Sequence, residues 1–231
     1  LELARQYYTE AMTIFRQSGA RKNTFLVLAH LGQVCTWLGR LSEGRSHLER
    51  SLQLARALRF LVWAAIIQRT LATLELAAGN LVRAMAWISA SLESLTAQGN
   101  PSQVAISRGV HGEVLLALGR RDEAEAELRA SLAAMRPTER HRGRVLVGLG
   151  VACRQRPIEA AEHFAAAEQQ LRAVGDDYER AWLLCHRADL EQARGDGERS
   201  AASLAEAGRV CAGYGLGAEA PLSRAISTRL E

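Results

Sequence analysis

A pattern of small and large side chains recurs along this chain. A small residue is followed by a large one four positions later and by another small one seven positions later, as at Gly44, Leu48 and Ser51. Residues at these spacings share one face of an α-helix, where small side chains allow a neighbouring helix to approach and the large one fills the space between the axes. Successive copies lie 40 residues apart, except for one step that is four residues shorter. The six copies begin at Ala4, Gly44, Ala84, Ala124, Ala160 and Ser200.

Glycines predict where the helical segments end. Gly39, Gly79 and Gly119 occupy the same place in three copies, each directly after a helical segment. Glycine readily adopts the left-handed conformation that ends a helix and reverses the chain, so each unit is predicted to be a helical hairpin. No segment shows the alternation of polar and apolar residues that is typical of a strand. We predict an all-α fold, a right-handed superhelix of about six antiparallel helical hairpins made from about twelve helices.

The predicted array is continuous, so residues 1–231 are expected to form a single repeat domain. Pro157 is expected to begin a helix after an abbreviated turn, which accounts for part of the short step between copies. Because the chain begins and ends within helical patterns, we expect it to belong to a longer protein. The predicted units are a half unit at 1–19, hairpins at 21–59, 60–99, 101–136, 137–175 and 177–213, and a terminal helix at 217–231.

Two hairpins carry residues that match tetratricopeptide repeats. The matching residues are Leu31, Gly32, Cys35, Leu38, Gly39, Gly44, Leu48 and Ser51 in one hairpin and His111, Gly112, Leu118, Gly119, Ala124 and Leu128 in the other. The chain therefore resembles a tetratricopeptide-repeat (TPR-like) α-solenoid over its whole length. It departs from that family because its period is 40 residues, whereas the family repeats every 34, and because it lacks the proline that usually closes each unit.

The long helices are also similar to the superhelical repeat region of large ATP-binding bacterial regulators of the LuxR type. This resemblance implies that the chain is the regulatory part of a larger bacterial signalling or transcription-regulator protein. The tetratricopeptide resemblance implies a non-enzymatic protein–protein interaction module. Such a module binds a peptide or a partner domain, including another domain of the same polypeptide, in its concave groove. The alternative is a small-molecule sensor domain, in which an effector changes the curvature of the array.

The tetratricopeptide resemblance places defined positions on the first helix of each hairpin in the concave groove. The charged members form a row of mixed sign from Arg69 to Asp189, which suits an extended peptide or a hydroxyl-rich small molecule better than a polyanion. The alternative is that these charges only solvate the concave wall. The candidate groove residues are His30, Gln33, Arg69, Thr73, Glu113, Arg144, Trp182, His186, Asp189 and Gln192.

Composition limits the setting in which the chain works. Its four cysteines lie far apart in helical patterns without a Cys-x2-Cys pair, which favours reduced, buried thiols and a cytoplasmic location. No run of 18 or more apolar residues occurs, so no membrane span is predicted. Of 29 basic residues only Lys22 is lysine, and arginines alternate with acidic residues, as in "RRDEAEAELR". This pattern is typical of a salt-bridged, solvated surface rather than a nucleic-acid surface.

No set of reactive residues predicts catalysis. "GLGVAC" at 148–153 lacks the third glycine and the preceding strand of a dinucleotide fingerprint, so its glycines are expected to serve helix packing. Cys185 and His186 are adjacent and therefore point about 100° apart on a helix, a poor arrangement for a shared metal. The other histidines show no His-x3-His or His-Glu-x2-His spacing. We expect no enzyme activity, no bound metal and no cofactor.

"RPTERHRGR", residues 136–144, is the densest basic stretch in the sequence. It would suit an anion, a phosphate or an acidic partner segment. Its alternative role is a loop between repeats whose charges lie in water. No helix-turn-helix is recognisable outside the repeats, so no direct contact with nucleic acid is expected. The partner predicted by the sequence is a protein, a peptide or a small effector molecule.

Overall fold

The computed structural model describes residues 1–230, which fold into twelve α-helices without a β-strand. From α2 to α11 the helices pack as five consecutive hairpins, and the single helices α1 and α12 flank them. The predicted all-α array of hairpins is thereby confirmed. The helices are α1 Glu2–Gln17, α2 Arg21–Trp37, α3 Leu41–Ala57, α4 Leu61–Ala77, α5 Leu81–Ala97, α6 Pro101–Ala117, α7 Arg121–Ala134, α8 Arg142–Ala152, α9 Pro157–Val174, α10 Asp177–Ala193, α11 Gly197–Gly213 and α12 Pro221–Leu230.

The repeated small–large–small pattern lies on the second helix of each hairpin, where it faces the first. Its large residue is fully buried in three successive hairpins, as Leu48, Ile88 and Leu128. Opposite them, a Cβ on Gly32 would lie 2.4 Å from Leu48, and one on Gly112 would lie 2.5 Å from Leu128. The first helix therefore carries glycine where the large side chain of the second helix is inserted, which explains the Leu-Gly and small–large elements of the repeat.

A buried serine joins the two helices of the first three hairpins. Ser51, Ser91 and Ser131 each donate a hydrogen bond to the backbone carbonyl oxygen 26 residues earlier, over 2.6–2.8 Å. Each side chain is fully buried, so the bond satisfies a hydroxyl that has lost its contact with water. The identical spacing shows that the three hairpins pair their helices in the same register.

Eight of the eleven turns between the helices of residues 1–230 contain a glycine with a positive φ angle. Positive φ angles occur at glycines that end helices, including 80° at Gly39 and 76° at Gly79. In the turn between α3 and α4 the same conformation is adopted by Arg59, with φ 58°. Pro157 begins α9, as predicted. The short step in the pattern arises because α7 and α8 have only 14 and 11 residues.

The array curves until its first and last parts touch. The turn after α2 lies against the α11–α12 connection, because a Cβ on Gly39 would lie 2.2 Å from the carbonyl oxygen of Glu219. Next to this contact, the ring centroids of Trp37 in α2 and Tyr178 in α10 are 5.4 Å apart. The concave side therefore forms a channel that is lined by helices from both ends of the array, α2 and α12. None of the helices within residues 1–230 combines the length and apolarity that a membrane span requires.

Candidate functional site

The concave side of the array contains a solvent-open cavity of about 810 Å³. Its walls come from the first helix of each hairpin and from the terminal helix α12. The first helices are α2, α4, α6, α8 and α10. The aromatic rings of Trp37, Tyr178 and Trp182 line it together with aliphatic side chains such as Leu116 and Val147. Cavities of this volume in proteins commonly hold small ligands, and mostly apolar walls are typical of them.

A smaller cavity of about 100 Å³ adjoins the channel. Gln33, Arg69 and Thr73 are among its lining residues. Thr73, Glu113 and Arg144 line both cavities, so the small cavity and the channel share one polar wall. A ligand in the apolar channel would therefore meet polar groups at this side.

Arg144 connects three of the helices that line the channel. Its Nε and one terminal nitrogen donate to the Glu113 carboxylate at 2.5 and 2.6 Å, and the other nitrogen donates to Glu179 at 3.3 Å. Burial disfavours the charge of Arg144, but Glu113 and Glu179 raise its pKa. Burial raises the pKa of Glu179 to about 7 despite this contact. The resulting ion pairs brace α6, α8 and α10 against one another.

Arg69 differs from Arg144 because no carboxylate within residues 1–230 pairs with it. Its guanidinium donates to the side-chain oxygens of Gln103 at 3.0 Å and Ser107 at 3.3 Å. Burial, followed by the charge of Arg144, lowers the pKa of Arg69 to about 10, so it remains charged at neutral pH. Burial and the nearby arginines lower the pKa of His141 to about 4. The small cavity thus has one cation without an acidic partner and a neutral imidazole.

Asp189 in α10 holds two arginines, one from the α8–α9 turn and one from α12. It accepts from Arg154 at 2.6 Å and from Arg229 of α12 at 2.7 and 2.8 Å. Burial opposes its ionisation, but its contacts with His186 and Arg229 lower the pKa of Asp189 below its usual range. This carboxylate therefore ties the α8–α9 turn and α12 to α10.

Seven of the ten predicted groove residues line the two cavities. They are Gln33, Arg69, Thr73, Glu113, Arg144, Trp182 and His186. Three others line neither cavity: Asp189 is engaged as described above, Gln192 is exposed, and His30 stacks on Tyr8 of α1 with ring centroids 5.3 Å apart. The charged members are mostly paired with neighbours, so Arg69 is the predicted charge that stays available to a ligand.

Sequence reasoning missed several residues of the channel. Trp37 and Tyr178 meet only because the ends of the array touch, and no local pattern in the sequence marks that contact. Glu179 and His141 also line these cavities. Both lie at the start of a first helix, so a search that included the first turn of each such helix would have found them.

The basic stretch at 136–144 does not form one site. The Arg136 side chain is 83% exposed, whereas Arg140 approaches an aspartate at 3.4 Å. Arg142 donates to a backbone carbonyl of α7 at 3.0 Å, and Arg144 faces the channel. The arginines of this stretch therefore have separate surroundings.

No protein-family model matches the sequence, and no curated protein is similar to it. Solved structures are similar in fold. BtubC (BKLC) from P. vanneervenii is 16% identical, with a TM-score of 0.63 over 93% of this chain and 90% of that chain. The apo form of RapI is 13% identical, with a TM-score of 0.63 over 89% of this chain and 70% of that chain.

A Rap protein complexed with competence and sporulation factor is 12% identical, with a TM-score of 0.63 over 99% of this chain and 74% of that chain. At such identities the likeness concerns the fold alone. Together with the repeated hairpins, it shows that the chain has the fold of an α-solenoid built from helical hairpins.

Proposed function

We propose that this protein is a non-enzymatic binding module that holds a short peptide segment inside its channel. The observation that carries this proposal is the cavity of about 810 Å³ on the concave side, with aromatic walls and a polar wall that includes Thr73, Glu113 and Arg144. A few polar groups set in an apolar wall are the usual composition of a ligand pocket. The volume is that of a small ligand, so a peptide segment fits the channel better than a folded partner domain does.

The similar structures support a binding role. One of them, a Rap protein, was solved in complex with competence and sporulation factor. We infer from the shared fold that this chain, too, binds another molecule through its helical array.

The groups that line the cavities support a role without catalysis. The lining includes the histidines His141 and His186 and four threonines, together with paired acidic and basic residues. Arginines surround both imidazoles, and the pKa of each is lowered, chiefly by burial. Among these lining residues no hydroxyl is hydrogen-bonded to a histidine, which is the arrangement that would activate a nucleophile.

Filling the channel tests the proposal. Ala117 is the last residue of α6 and lines the channel, while Ala97 is the last residue of α5 and is exposed. Peptides selected from a random heptapeptide library on the wild-type protein should bind Ala117→Trp at least tenfold more weakly, because the indole occupies their space. Ala97→Trp is the matched control and should bind them as the wild type does. Equal binding to both variants would exclude the channel as the site.

The small-molecule sensor remains a second candidate, because the channel and its polar side cavity also have the size and polarity of a metabolite pocket. Native mass spectrometry of the purified protein distinguishes the two. A bound molecule of a few hundred daltons on the wild type, absent from Ala117→Trp, would favour the sensor. Membership of a larger LuxR-type bacterial regulator and a cytoplasmic location rest on sequence resemblance and on four buried free thiols, and both stay proposals.

A further inference from the structure

A cysteine, a glutamate and a histidine lie close together near the turn that joins the two helices of the first hairpin. Cys35 lies near the end of α2, and Glu43 and His47 are the third and seventh residues of α3. A residue and the fourth residue after it share one face of a helix, so the glutamate and the histidine both face the cysteine across the hairpin. One ligand atom from each of the three side chains lies within 4.8 Å of the other two.

The geometry of this cluster is close to that of a zinc site. Thiolate sulfur, imidazole nitrogen and carboxylate oxygen are the common protein ligands of Zn²⁺, at distances that place neighbouring tetrahedral ligands about 3.4–3.6 Å apart. Nε2 of His47 is 3.6 Å from Oε1 of Glu43, too far for a hydrogen bond but suited to a shared ion. Small side-chain rotations would bring Cys35 into the same arrangement.

The protein leaves part of the cluster without a partner. Nδ1 of His47 is buried and has no hydrogen-bond partner among the described residues. Glu43 faces Arg5 and Arg40 at 3.8 and 3.7 Å, beyond hydrogen-bond distance. Both arginines contact Glu2 more closely, at 2.8 and 2.7 Å, so they keep a counter-charge if Glu43 turns towards an ion.

We propose that Cys35, Glu43 and His47 bind one zinc ion, with water as the fourth ligand. The thiol of Cys35 loses its proton to solvent as the zinc–sulfur bond forms, so thiolate and carboxylate together balance the charge of the ion. Cys35 and Glu43 lie four residues on either side of Gly39, so the ion joins α2 to α3 at the turn that contacts Glu219. Its role is to brace this end of the array.

The fourth hairpin contains a similar cluster that serves as an internal comparison. Cys153 precedes α9, and Glu159 and His163 are the third and seventh residues of that helix. Here the sulfur and the carboxylate are already occupied, because Arg156 donates to the sulfur of Cys153 at 3.1 Å and contacts Glu159 at 3.0 Å, although Nε2 of His163 is buried without a hydrogen-bond partner among the described residues. Arg129 also contacts Glu159, at 2.6 Å. These cations oppose a metal ion, so the first cluster is the stronger site.

Metal titration of the reduced, tag-free protein tests the proposal. After removal of bound metal with a chelator, Zn²⁺ is titrated in competition with a chromophoric chelator, and Co²⁺ is added to a separate sample for absorption spectroscopy. One equivalent of Zn²⁺ should bind, and Co²⁺ should produce a thiolate-to-metal charge-transfer band. His47→Gln should weaken Zn²⁺ binding at least tenfold, whereas the matched variant His163→Gln should leave it within twofold.

The same measurements can overturn the proposal. It is wrong if the wild type fails to compete with the chelator, if Co²⁺ gives no thiolate band, or if His163→Gln weakens binding as much as His47→Gln. Cys35→Ser should remove the thiolate band, but Cys35 is fully buried and the change can impair folding. Circular dichroism therefore accompanies each variant, and His47→Gln, whose side chain is 23% exposed, decides the outcome if Cys35→Ser unfolds.

Discussion

Replacing Gly39 by alanine tests whether contact between the two ends of the array stabilises the protein. Gly39 has a φ of 80°, and an L-residue in this left-handed conformation costs about 1–2 kcal/mol. The added Cβ would also lie 2.2 Å from the carbonyl oxygen of Glu219, whereas carbon–oxygen contacts rarely fall below about 3.3 Å. The α11–α12 connection must therefore move by about 1 Å, and overpacking of this kind typically costs a further 1–3 kcal/mol.

Gly79→Ala is the matched control for this experiment. Gly79 has nearly the same φ, 76°, and nothing lies within 4 Å of the Cβ that alanine would add. Gly39→Ala should therefore be less stable than Gly79→Ala by about 1–3 kcal/mol, or about 2–12 °C in Tm for a chain of this size. Hydrogen exchange should increase across 217–230 in Gly39→Ala only. Equal melting temperatures and unchanged exchange in this segment would show that the ends of the array do not hold each other in solution.

Three further substitutions test local features. Burial raises the pKa of Glu179 from 4.5 to about 7, so the stability contributed by its protonated carboxyl is complete below pH 4.5 and is lost as pH rises through 7. Glutamine cannot ionise, so Glu179→Gln should not lose stability over this pH range. In urea unfolding the variant should be about 1–3 kcal/mol more stable than the wild type at pH 8 but not at pH 5. Arg59→Gly should stabilise the protein by about 0.5–1 kcal/mol, because glycine accepts the φ of 58°; an unchanged or lower Tm would contradict this. Ser131→Ala removes a buried hydrogen bond and should cost about 1 kcal/mol in urea unfolding, and no measurable loss would show that the bond contributes nothing.

Local patterns in the sequence were enough to predict the hairpin array. The small–large–small positions are buried because each hairpin repeats the same contact, as Leu48 does against Gly32 and Leu128 against Gly112. Helix ends were equally predictable, since a glycine that reverses the chain acts within a few residues of itself. Seven of the ten groove candidates line the two cavities, because a position on the first helix of a hairpin keeps its orientation from one repeat to the next.

Tertiary structure decided what the repeated pattern could not. Gly39 and Gly79 occupy the same place in the repeat, yet only Gly39 lies against Glu219, because the small rotation between neighbouring hairpins adds up along the array until its ends touch. This accumulated rotation brings the two ends of the array together beside the channel. Pairing between helices likewise brings Arg144 to Glu113, 31 residues earlier in the sequence, a distance that no local motif spans. The sequence by itself determined the helical hairpin and its repetition. The accumulated curvature of the array determined which distant parts of the chain come into contact and which residues line the channel.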